Sequence, residues 1–145
     1  MRKTLLILFV IIIGYFLVIG NKQMQKSKQL KNKYKDFSTI DYKLENKDYK
    51  LLLADTPAKW EKGLMHFRSL EDVDGMIFIF PDKERRTFWN KNTLMNLQLL
   101  WIKGDRIVGK SRLPSIEESK KIVTVNSPAL VNKVIELPLK SFDSR

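Results

Sequence analysis

From residue 37 onward, apolar and polar side chains alternate in short runs broken by turn formers, the period of two that marks strands rather than helices. Ile40, Tyr42 and Leu44 alternate with polar neighbours, Glu45 to Asp48 supply a turn, and Tyr49 to Ala54 continue as a second strand that pairs with the first. Thr56 followed by Pro57 reads as a helix start, with the Thr hydroxyl accepting from a free backbone amide. Trp60 and Leu64 then fall on one face, and Gly63 ends the helix after about two turns. Asp74 and Gly75 turn into Met76 to Phe80, a buried strand that Pro81 stops. Further strands are predicted over Arg86 to Asn90, Leu97 to Ile102, Arg106 to Gly109, Ile122 to Asn126 and Val131 to Leu137. Seven or eight strands with one short helix predict a mainly β domain, a sandwich or partly open barrel, and exclude helical bundles and doubly wound sheets.

Ahead of this domain the pattern changes. Arg2 and Lys3 precede an apolar run from Leu5 to Ile19 that spans about 22 Å at a helical rise of 1.5 Å per residue, at the border between a long signal-peptide core and a short membrane anchor. The expectation is a signal anchor, an N-terminal transmembrane helix over residues 1–20, or a signal peptide cut after Gly20. Residues 21–35 are a lysine-rich tether and residues 36–145 the β domain. Six lysines after the apolar run against two cations before it oppose export by the positive-inside rule, but long C-terminal domains cross largely regardless of charge. The expected placement is a single-pass membrane protein with its domain extracytoplasmic, or a secreted domain if the leader is cleaved.

Charge then loses its apparent meaning. The chain of 145 residues carries a formal +11, yet residues 1–35 contain eight cations and no acid, so the domain is left with only +3. Nucleic acid is therefore not an expected partner, since that needs basic side chains clustered on the domain itself. With no Cys and a single His, disulfides, thiol nucleophiles, Cys-ligated metals and sites built on two imidazoles are excluded. No metal and no cofactor are expected.

The residues that carry chemistry are few. Trp89, Lys91, Asn92 and Thr93 concentrate an aromatic face, a cation, an amide and a hydroxyl within five positions, a set that would hold a small polar or sugar-like ligand, by stacking and by donation to oxygens. The same residues would equally serve packing and a turn. His66 is the sole imidazole, a candidate ligand residue or, beside Glu61, Glu71 or Asp72, a general base. Glu136 lies between Ile135 and Leu137 and points opposite to both, as a paired carboxylate at a rim or an exposed strand residue. Glu71, Asp72 and Asp74 form an acidic cluster of the kind that usually makes turns. The readings are a membrane-tethered binding or accessory module and, as the alternative, a small cell-envelope hydrolase. Whether the chain is an enzyme stays open at this level.

Thr56, Trp60, Gly63-Leu64-Met65, Leu70, Gly75 through Phe80, Phe88-Trp89-x-Lys91-Asn92-Thr93 and Ile135-Glu136 occur in an order and spacing that resembles the domain of unknown function 192 family. The resemblance runs from Asp55 to Leu137. It implies a compact, jelly-roll-like or barrel-like mainly β domain, often exported behind a signal or anchor, and it implies no reaction. Three positions depart from the family pattern: Phe67 in place of a common Arg, Asn90 in place of Met, and Gln98 in place of an Asp that would have offered a general base or cation ligand.

Overall fold

The computed structural model describes the backbone of residues 2–139, with side chains from residue 12 onward apart from 31 and 32. The chain divides after Lys35 into two compact units. The first is a single helix, α1 (Arg2–Lys33), which takes in both the apolar run and the lysine-rich stretch. The expected transmembrane span is not shown, for among the described residues no helix is long and apolar enough to cross a membrane. Much of the run from Leu5 falls where side chains lie outside the described set.

The second unit is built on strands β1 (Ser38–Leu44), β2 (Lys47–Ala54), β3 (Gly75–Glu84), β4 (Thr87–Trp89), β5 (Leu97–Lys103), β6 (Arg106–Leu113), β7 (Thr124–Asn126) and β8 (Val131–Pro138). Two short helices interrupt them, α2 (Pro57–Lys62) and α3 (Ile116–Ser119). Six strands form one sheet in the order β1-β2-β3-β8-β5-β6, and β4 pairs with β7 in a separate two-stranded sheet. The large sheet is open, with β1 and β6 at its edges, so neither a closed barrel nor a jelly roll results.

Most pairs are antiparallel. β2 and β3 are parallel, from Leu51 opposite Gly75 to Ala54 opposite Phe78, and α2 lies in the crossover between them. That connection satisfies the rule that parallel neighbours need a long return, which the helix and the loop after it provide. α2 starts at Pro57, whose missing N–H is one of the helix's unused donors. Contrary to expectation, the Thr56 hydroxyl caps nothing, although its carbonyl takes the Trp60 N–H at 2.9 Å. Gly63 does end the helix, at φ +46°.

Pro81 does not stop β3 as its lack of an N–H suggested. The strand runs on to Glu84 because its register with β8 shifts between Ile79 and Glu84, and Pro81 sits in that irregularity, where no ladder bond is required of it.

Strict alternation divides the sheet into two faces. One carries Leu44, Tyr49, Leu51, Ile77, Leu100, Ile102 and Ile135 as a single apolar cluster. By register the other carries Leu52, Met76, Phe78, Val134, Leu99 and Trp101, all buried. On this second face Phe88 of β4 packs edge-to-face on Phe78 at 4.8 Å and on Trp101 at 5.6 Å, joining the small sheet to the large one. Burying aromatic side chains of this size contributes about 2–3 kcal/mol each.

Candidate functional site

Because β4 alternates, Phe88 turned inward forces Trp89 outward, and Trp89 is 42% exposed. The Lys91 ammonium lies 5.1 Å from the centre of its ring, a cation–π contact at the surface. Between them Asn90 turns back inside and is fully buried. Its side-chain amide donates to the Pro114 carbonyl at 2.9 Å, the Ser119 hydroxyl at 2.7 Å and the Lys121 carbonyl at 3.4 Å, while its oxygen accepts the Val123 N–H at 2.8 Å. One side chain thereby ties the Trp89 loop to the segment that leads from α3 into β7. The sequence marked position 90 as a departure from a pattern; nothing local in a single Asn signals a four-bond hub.

Asn92 is exposed and adopts φ +54°, and its carbonyl accepts the His66 N–H at 2.9 Å. His66 is itself in the left-handed region, at φ +66°, and exposed. Two residues singled out separately in the sequence are thus brought together by backbone. Thr93 is placed differently: it is buried, its N–H reaches the Asn90 carbonyl at 3.0 Å, and its own carbonyl takes the Ile116 N–H at 2.9 Å, so it anchors α3. Trp89, Lys91, Asn92 and His66 reach the surface, and Thr93 supports them from below.

The contact that the structure shows for His66 is its backbone bond to the Asn92 carbonyl, and the hydrolase expectation finds no support in it. Asp74 of the acidic cluster is engaged with the sheet, its carboxylate accepting the Lys50 N–H at 2.8 Å and its N–H reaching the Lys50 carbonyl at 2.7 Å. No three His, Asp or Glu side chains among the described residues converge as metal ligands would.

Glu136 corrects the expectation of a rim or exposed carboxylate. It does point opposite to Ile135, but into the second face of the sheet, between Met76 of β3 and Leu99 of β5, and only 4% of it is exposed. Its Oε2 has no hydrogen-bond partner among the described residues, and burial pushes its pKa up to about 8. Gln98 pairs with Leu137 and Arg112 and so projects from the opposite face to Glu136.

A separate open groove of about 830 Å³ is lined by Leu70, Val73, Met95 and Asn96, with Arg68 and Arg112 at its margin. Both arginines are already neutralised by α3: Arg112 meets Glu118 with both carboxylate oxygens, at 2.7 and 2.6 Å, and Arg68 meets Glu117 at 3.1 Å.

Comparison with known families finds a match to the DUF192 family, described as an uncharacterized ACR, over residues 39–145. The chain belongs to the DUF192 family. Two solved structures share the fold. A protein of Sinorhizobium meliloti 1021, whose description provisionally calls it a transcription regulator, is 28% identical with a TM-score of 0.56, over 70% of this chain and 78% of that one. A protein of unknown function from Novosphingobium aromaticivorans DSM 12444 is 23% identical with a TM-score of 0.57, over 70% of this chain and 73% of that one. No curated protein matches the chain.

In this DUF192 protein the motifs scattered along the sequence converge in space. A Cβ on Gly63 would lie 3.4 Å from the Phe78 ring and 3.9 Å from Glu136 Oε2, and one on Gly75 would collide with the Glu136 carbonyl oxygen. Two glycines, Phe78 and Glu136 therefore pack against each other, with the Trp89 loop held to the same region through Phe88 and the His66–Asn92 bond.

Proposed function

We propose that this DUF192 protein is a binding or accessory module that presents Trp89, Lys91 and Asn92, with His66 alongside, to a small polar or sugar-like ligand. The observation that carries this reading is the exposure of Trp89 beside the inward-facing, half-buried Phe88. A large aromatic left at the surface, between a cation and an amide and on a rigidly braced loop, is a stacking platform with donors at its rim. The apolar run from Leu5 to Ile19 behind two cations supports placement at a membrane with the domain on the extracytoplasmic side. A thermal-shift screen of sugars and small anions on the full chain in neutral detergent tests the binding reading. Hits lost in both Trp89→Ala and Asn92→Ala support it, and hits indifferent to both changes count against it. Protease accessibility of the domain in intact cells tests the placement.

A further inference from the structure

The ligand patch is one end of a larger surface. In the β4–β7 ladder, Thr87 lies opposite Asn126 and Trp89 opposite Thr124, so these four side chains share the outer face while Phe88 and Val125 share the inner one. All four outer residues are exposed, and the Thr87 hydroxyl donates to the Asn126 side chain at 2.7 Å. The next position, Asn90, turns inward and grips the Ser119 hydroxyl, the Lys121 carbonyl and Val123. That grip holds the backbone of residues 119–123 against Asn90, the chain neighbour of Lys91, and Lys91, Lys120, Lys121 and Ile122 are all exposed, Ile122 at 56%.

The charge on this surface has one sign. Residues 85–93 and 119–127 contain no Asp or Glu and five cations. Arg85 donates to the Ser127 and Pro128 carbonyls, and Arg86 is paired with Asp82 and Glu84. The nearby glutamates of α3 are taken by Arg68 and Arg112. Lys91, Lys120 and Lys121 take part in none of these ion pairs. A β face with one exposed Trp, a row of hydroxyl and amide groups and three ammonium groups outside those ion pairs complements a chain of sugar rings bearing negative charge: rings stack, hydroxyls exchange hydrogen bonds, and anionic groups meet lysines.

We infer that the outer face of β4–β7, extended by Lys120, Lys121 and Ile122, binds an anionic glycan. This names the ligand class of the binding site proposed above and rests on that reading. In the free protein the Lys91 ammonium covers the Trp89 ring. A bound sugar takes over the ring face, and Lys91 swings to an acidic group on the same ligand.

The test is calorimetric titration of the full chain in neutral detergent with polygalacturonate, with the same polymer fully methyl-esterified, and with inorganic phosphate. Polygalacturonate is expected to bind, more weakly as salt rises, and the ester at least about tenfold less well. Trp89→Ala and the pair Lys120→Ala with Lys121→Ala should each weaken binding about tenfold, while Lys110→Ala, on the exposed side of β6, leaves it unchanged. Circular dichroism confirms that each variant is folded. Absence of binding to polygalacturonate, binding indifferent to these variants, or phosphate bound equally well overturns the inference. Equal binding of the methyl ester, lost in Trp89→Ala, overturns the anionic class and leaves the sugar-binding reading standing.

Discussion

Gly63 closes over Glu136: the position a Cβ would occupy at the end of α2 lies 3.9 Å from the buried Oε2, which has no hydrogen-bond partner among the described residues. The glycine's φ of +46° with ψ of −141° is a combination that residues with a side chain scarcely adopt, so the turn selects glycine. Gly63→Ala is expected to destabilise the domain by about 1–3 kcal/mol, measured by urea unfolding. A midpoint equal to that of the native chain would show that the turn relaxes freely.

Glu136 makes stability depend on pH in a direction opposite to that of most carboxylates. Its ordinary pKa of 4.5 rises to about 8 in the fold because burial penalises the charged form. Met76 and Leu99 beside it, and Phe78 and Gly63 packed in the same region, carry no charge to offset that penalty. Between these two values the folded chain holds a proton that the unfolded chain has released. The penalty is therefore absent below about pH 4.5, grows as pH rises by at most about 1.4 kcal/mol per unit, and levels off above pH 8. Glu136→Gln should gain on the native protein steadily over that window in unfolding experiments at a series of pH values. Parallel stability curves for the two proteins would refute this.

Asn90→Ala removes a buried amide and leaves the Val123 N–H and the carbonyls of Pro114 and Lys121 without that partner. The expected cost is about 2–4 kcal/mol. Amide exchange should rise first around residues 119–123, ahead of the large sheet, because that is the segment Asn90 holds.

Phe88 and Trp89 are neighbours with opposite predicted behaviour. Phe88→Ala leaves a hole between Phe78 and Trp101 and should cost about 3–5 kcal/mol. Trp89→Ala should change the unfolding midpoint little, since much of its side chain already faces solvent. A large loss of stability in Trp89→Ala would mean that the ring serves packing rather than a ligand.

The strands were legible because alternation is local. Ile40, Tyr42 and Leu44 announce β1, and the runs Leu97 to Ile102 and Arg106 to Gly109 announce β5 and β6. Pairing across long separations was not legible: nothing near Leu51 says that Gly75 will lie parallel to it, and nothing near Glu136 says that strands on both sides will bury it. The same division holds at the site. The run Trp89 to Thr93 stood out by composition, whereas the bracing role of Asn90 follows from residues some thirty positions away. His66 and Asn92 could not be joined from sequence, because the bond between them belongs to their backbones.

β8 is the last strand among the described residues, yet it lies between β3 and β5. Without β8 the sheet order leaves two separate groups, β1-β2-β3 and β5-β6, each with an open edge that the same strand covers. Residues 131–138 form the seam that closes both, so the domain cannot be assembled piece by piece from its N-terminus. Glu136 travels on that seam, and the burial of its carboxyl is completed in the step that makes the sheet whole.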